Sequence, residues 1–335
     1  MLFSAGFGIV SAVVGAGFAS GREIMHFFSR YGLWSWCLCF LAAGMMGGLT
    51  AWVMKDQFEM GNAPWLGKAL LLPLFSTAGG AMTAAAGELF ALTLPLFHAR
   101  TLGGLFTLGA AVLASRRSVR VLGVIGKILA SLMLLAFFFC ARLTVEQDTT
   151  ISPLSLGTAL VELLGYCGLN VMLSVGVIRE AGQSCAGKEQ RKIAIFTAVL
   201  LFALLLAGNA AMLPHAGTLK SAPLPVVMLL RNYGKWGFYL SAVVLYLAVF
   251  STLTAIIQAM RTLLPRRISW HGGACGCLCG LASLLGFEEI VGSAYPVLGW
   301  LGLLLIFGRK FLKAGTIRRA VSSIGRTPNK EDNNR

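Results

Sequence analysis

The residues most able to do chemistry lie in Val14-Gly15-Ala16-Gly17-Phe18-Ala19-Ser20-Gly21-Arg22. An apolar run leads in from Met1, three glycines fall within seven positions, and the charged pair Arg22-Glu23 follows. Glycine costs a helix interior roughly 1 kcal/mol relative to alanine, so the spacing predicts a helix broken at 15–21. A break frees backbone groups. Half-helix N-termini suit an anion such as a substrate carboxylate, and free carbonyls suit a cation. Within a bilayer such backbone is tolerated only where protein or a water-filled cavity satisfies it. The same stretch also reads as a glycine-rich face for close helix packing.

A second stretch, Glu162-Leu163-Leu164-Gly165-Tyr166-Cys167-Gly168-Leu169-Asn170, interrupts another apolar run about 150 residues later. It predicts a second break over 165–170. The candidate substrate site is then Gly15, Ala16, Gly17, Phe18, Ala19, Ser20 and Gly21 with Gly165, Tyr166, Cys167, Gly168 and Asn170. Phe18 is a candidate lid, and Tyr166 and Asn170 are the polar side chains. Alternatively, Tyr166 and Asn170 satisfy each other.

Ionisable groups inside a membrane are costly and mark functional candidates. Glu88 is expected about ten residues inside its span, roughly 15 Å deep. Glu162 stands just before the second stretch, and Lys127 sits inside the fifth span. Lys127 could instead snorkel to the interface.

The elements that must hold these residues follow from composition. The 335 residues are 57% hydrophobic and 12% charged, with mean hydropathy +0.77; soluble domains carry about 25% charged residues. The fold class is all-α and polytopic. The net charge of +15 is scattered between apolar spans, which suits basic cytoplasmic loops and anionic lipid and excludes a nucleic-acid partner. The eight cysteines lie mostly in apolar runs. Cys275-x-Cys277-x-Cys279 lacks zinc-site spacing, so they read as packing residues. No positive n-region precedes the first apolar run, so a signal peptide is not expected.

With about 20 apolar residues per span, the chain divides into ten: 1–29, 32–54, 66–96, 101–115, 119–141, 154–178, 192–213, 236–264, 270–286 and 290–308. Gly44-x-x-x-Gly48 in the second is a packing signature. Residues 214–233, with three prolines, read as a short surface helix, and 311–335 as a basic tail. Lys and Arg number twenty in one set of alternate loops and seven in the other, which places both termini in the cytoplasm. Two five-span halves, about 1–143 and 154–308, then lie inverted in the cytoplasmic membrane. Broken segments at matching positions of inverted halves point to a transporter site.

Gly15-Ala16-Gly17-Phe18, the ten spans and the paired breaks resemble the amino acid–polyamine–cation transporter superfamily with the LeuT fold. Val14 through Ile24, with Phe27-Phe28 and Tyr31-Gly32, looks closest to the bacterial YkvI-like branch. The resemblance covers about 1–310 and implies cation-coupled carriage of a small amine or amino acid. No cofactor is implied beyond Na+ or H+ as coupling ion. It further implies a sodium site: Ala248-Val249-Phe250-Ser251-Thr252 is similar to the family's eighth-helix motif, with carbonyls of Ser11 and Val14 completing it. Ser251 and Thr252 also read as ordinary helix–helix hydrogen bonders. Some proton-coupled relatives place a fifth-helix lysine in that site, which raises Lys127, although Lys127 lies a turn or more off register. Glu88 and Glu162 are the other proton candidates. Arg22 with Glu288 or Glu289 resembles the family's outer gate; the same three also read as solvated span ends.

Other classes fit less well. The zincin and nucleophile-elbow motifs are absent, and the four histidines lie near span ends, so an enzyme is not expected. A non-transporting ligand sensor on the same scaffold is the alternative. Composition leaves the oligomeric state open.

Overall fold

The computed structural model describes residues 2–55, 65–94, 97–143, 156–185, 187–219, 224–264, 271–286 and 297–305. The described residues are helical, with no strand among them. Helix α1 (Leu2–Val13) ends at the glycine-rich stretch. Two short segments follow, α2 (Ala16–Ala19) and α3 (Arg22–Phe27). Then come α4 (Trp34–Lys55), α5 (Trp65–Thr93), α6 (Ala99–Ala114) and α7 (Ser118–Ala141). After residues outside the described set come α8 (Leu156–Leu173), α9 (Val175–Gln183), α10 (Lys188–Met212), α11 (Pro225–Leu230) and α12 (Gly234–Leu263). The described chain closes with α13 (His271–Ala282) and α14 (297–305).

Among the described residues, six segments are long and apolar enough to cross a membrane: Trp34–Lys55, Lys68–Thr93, Val121–Ala141, Leu156–Leu173, Lys188–His215 and Pro225–Leu263. Phe3–Val13, Ala99–Ala114 and Gly272–Leu285 are shorter apolar helices. The chain is a multi-pass helical membrane protein.

Packing places α1 at the centre, against α7, α10 and α12. Glycines allow the closest approaches. A Cβ on Gly126 of α7 would strike the Phe7 carbonyl and lie 3.2 Å from Ser11 Cβ. On α4 it is Gly47, not the expected Gly44 and Gly48, that packs: its Cβ would lie 2.6 Å from Ala198 Cβ of α10, while Gly44 and Gly48 have nothing within 4 Å. Buried polar groups tie the same elements. Asn209 of α10 accepts from Ser29 Oγ (2.9 Å) and donates to Ser35 Oγ (2.8 Å).

Two expectations change here. Continuous helix runs through 165–170, because Gly165 and Gly168 are packing positions. A Cβ at Gly168 would meet the Gly299 carbonyl at 2.7 Å, and one at Gly302 would meet the Gly168 carbonyl at 3.1 Å. The interruption falls at Ser174, between α8 and α9. The expected short helix at 225–230 forms, but it packs one face into the core instead of lying wholly on the surface. Pro225, Val226, Leu229 and Leu230 are buried, and Val226 N–H donates to the Ser20 carbonyl at 2.9 Å.

Candidate functional site

The first glycine stretch is broken as expected. Val14 N–H still donates to the Val10 carbonyl (2.8 Å), and helical bonding resumes where Ala19 N–H meets the Gly15 carbonyl (3.0 Å). Each glycine has its own physical reason. Gly21 stands at φ 83°, the left-handed turn between α2 and α3, and packs against Val226 and Met212. Gly17 leaves room for the Glu23 carboxylate, which a Cβ would strike. Gly15 lies under Thr252, with 3.6 Å from its would-be Cβ to Thr252 Oγ1.

The carbonyls freed at the end of α1 meet α12. Ser251 Oγ donates to the Ser11 carbonyl (2.7 Å) and shares its reach with the Ala248 carbonyl (3.0 Å). Thr252 Oγ1 lies 3.3 Å from the carbonyls of both Ala12 and Val14. Ser11, Ser251 and Thr252 are buried. Each hydroxyl has one hydrogen, so two protons serve four carbonyls. Six oxygens line this α1–α12 contact with no carboxylate among them. That donor set suits a hard monovalent cation in the hydroxyl hydrogens' place. Ala12 is the ligand candidate that the sequence reading missed; its carbonyl is freed by the same break.

Lys127 does not join this cluster. Gly126 faces α1, and the next residue of a helix turns about 100° away, so the Lys127 side chain is exposed. Glu88 is not deep either. Helix α5 ends at Thr93, and Glu88 sits half-exposed with its Oε2 2.8 Å from Arg100 Nη2. Glu162 is engaged by Arg30 and Tyr31: it forms an ion pair with Arg30 and accepts from Tyr31 Oη at 2.8 Å. Arg22 is half-buried with no ion pair among the described residues. Its expected partners Glu288 and Glu289 lie outside the described residues.

In the second stretch, Asn170 and Tyr166 meet through backbone. Asn170 Nδ2 donates to the Tyr166 carbonyl at 3.0 Å. The Tyr166 hydroxyl instead faces Glu23, which the sequence marked only as half of the charged pair after the glycines. Cys167 packs on α4, its Sγ 3.7 Å from the Ala42 carbonyl. Phe18 is fully buried, 6.4 Å from the Phe137 ring.

No family model matches the chain. Two Bacillus subtilis (strain 168) proteins align over most of it. "Uncharacterized membrane protein YkvI" is 25% identical over 341 residues, covering 93% of this chain and 96% of its own. YyaD is 25% identical over 328 residues, covering 89% and 93%. Among solved structures, the Eremococcus coleocola manganese transporter, in complex with an aromatic bis-isothiourea substituted compound, superposes with a TM-score of 0.50. That match has 14% identity and covers 91% of this chain and 84% of the transporter. The fold resembles that of this membrane transporter.

No group of three or more His, Cys, Asp or Glu that could hold a metal ion occurs among the described residues. The break offers backbone, hydroxyls, one phenol and one carboxylate.

Proposed function

We propose that this chain is a secondary carrier of the LeuT type, taking up an amino acid or small amine across the cytoplasmic membrane with a coupling cation. In this reading ten spans form two inverted halves with both termini cytoplasmic. The solute lies at the break between α1 and α3, against Tyr166. The observation that carries the proposal is the contact of the Ser11, Ala12 and Val14 carbonyls at the end of α1 with the Ser251 and Thr252 hydroxyls of α12. A cation bound there bridges the broken helix to α12, so its binding energy can set the geometry of the adjoining solute site. Sodium is the coupling ion favoured by oxygens without a carboxylate and by a Lys127 side chain turned outward.

The test is uptake into proteoliposomes under separate sodium and pH gradients. Sodium-driven uptake is expected, falling about tenfold or more in Ser251→Ala and Thr252→Ala and little changed in Lys127→Ala, since each lost oxygen ligand weakens cation binding. Sodium-independent uptake abolished only by Lys127→Ala overturns the choice of ion. Ligand binding without flux under any gradient overturns the carrier and leaves a sensor.

A further inference from the structure

Glu23 opens α3, where an acidic side chain would ordinarily favour the helix dipole from the surface. Here it turns back over the broken stretch. Its carboxylate lies against Gly17, where a Cβ could not fit. Its Oε2 has no accessible surface and no hydrogen-bond partner. The Tyr166 phenol faces it from α8, close enough for the two groups to interact, and has no other partner, on a side chain only 2% exposed. Glu23 belongs to neither ion pair among the described residues. The rings of Phe27 and Phe28 stand 4.8 and 5.5 Å from the Tyr166 ring.

Buried polar groups are nearly always satisfied, and an uncompensated buried charge is strongly unfavourable. Two such groups facing each other across a break in the helix define a position that lacks one partner. The partner's chemistry follows. It carries positive charge for the carboxylate. It donates hydrogen bonds, one to Oε2 and one to the phenol oxygen, and lies against aromatic faces, which attract cations. A single carboxylate balances one charge. A divalent metal would call for several hard or imidazole ligands, which this position does not supply.

We propose that Glu23 is the anchor for the substrate's ammonium group, with Tyr166 as its second polar contact. The assignment rests on the carrier reading for its biological role, but the binding it describes is measurable without transport. A carboxylic acid lacking an amine has no place against Glu23.

The test uses the full chain purified in detergent and heat denaturation with added ethylamine, putrescine, L-alanine, L-leucine, L-lysine, propionate or manganese chloride. At least one of the ammonium compounds should protect, and propionate and manganese should not. Glu23→Gln, which keeps shape and removes charge, should weaken that ligand about tenfold or more while leaving sodium-dependent protection unchanged. Glu23→Asp should recover part of the affinity, since it keeps the charge but withdraws it by one methylene. The assignment is overturned if no ammonium compound protects, if propionate or manganese does, or if Glu23→Gln binds like the unmutated chain. It is equally overturned if Glu23→Gln alters only the pH dependence of uptake at unchanged amine affinity. Amine binding without flux would fell the carrier reading and leave this one standing. Flux indifferent to Glu23→Gln would do the reverse.

Discussion

Gly21 is where one added methyl group does most harm. Its φ of 83° lies in the left-handed region, which costs an L-residue roughly 1–2 kcal/mol. Its Cβ would also meet Val226 Cγ2 at 2.9 Å and Met212 Sδ at 3.0 Å. Gly15, at φ −87° and ψ −173°, tolerates a side chain, and its Cβ would touch Thr252 at ordinary distance. Gly21→Ala is therefore expected to lower stability by about 2 kcal/mol or more, and Gly15→Ala by about 0.5 kcal/mol or less. Denaturation in detergent reads both; equal losses would show that the turn geometry is not what requires Gly21. The break itself was legible because glycines are costly in helices. Glu23 was not, because a charged pair after an apolar run looks like a solvated helix end. The available sign was an acidic residue two positions after a glycine turn that can fold it back.

Among the elements, α8 shows how one residue type serves two ends. Gly165 and Gly168 suggested a break and instead let α14 approach, glycine against glycine, with Leu303 packed on Gly168. Spacing alone does not separate these uses, because both need a missing Cβ. The interruption at Ser174 carries no glycine at all. Its hydroxyl donates to the Asn170 carbonyl at 2.8 Å and lies 3.2 Å from that of Val171, the back-bonding that bends helices. Helix α11 was expected from the sequence, but at the surface; its Val226 N–H donates to the Ser20 carbonyl and one of its faces is buried. Overpacking the α8–α14 crossing should cost about 1–3 kcal/mol in Gly168→Val, whereas Gly44→Val, facing open space, should stay within about 0.5 kcal/mol. If thermal melts rank the two the other way, Gly168 is not at a helix crossing.

At the scale of the molecule, hydropathy made the membrane class and the long spans readable, because about 20 apolar residues are a length that few soluble helices share. The side-chain pairings between spans were not readable, because partners far apart in sequence leave no local pattern. The ion pair that links the two interrupted helices is one of these. Arg30, at the end of the first interrupted helix, pairs with Glu162 of α8, while Tyr31 Oη accepts from Arg30 Nη2 (3.0 Å) and donates to Glu162 (2.8 Å). The Arg30 guanidinium also lies 5.0 Å from the Tyr31 ring centre. The side chains are 22% and 29% exposed, and pairs open to solvent contribute only about 0–1 kcal/mol to stability. The pair's consequence is mechanical. Any opening of the break toward this face must part α3 from α8, and so must separate Arg30 from Glu162. Like charges at that seam would hold it apart, and under the carrier reading proposed above a seam that cannot close stops the cycle. Arg30→Glu and Glu162→Arg should each slow initial uptake about tenfold or more, since juxtaposed like charges cost several kcal/mol. The double exchange should restore most of the rate, because the coupling lies within the pair. Binding of the solute in detergent should change far less than flux in all three variants. A double variant no faster than the slower single one would mean that Arg30 and Glu162 act apart, and that this seam is not where the carrier closes.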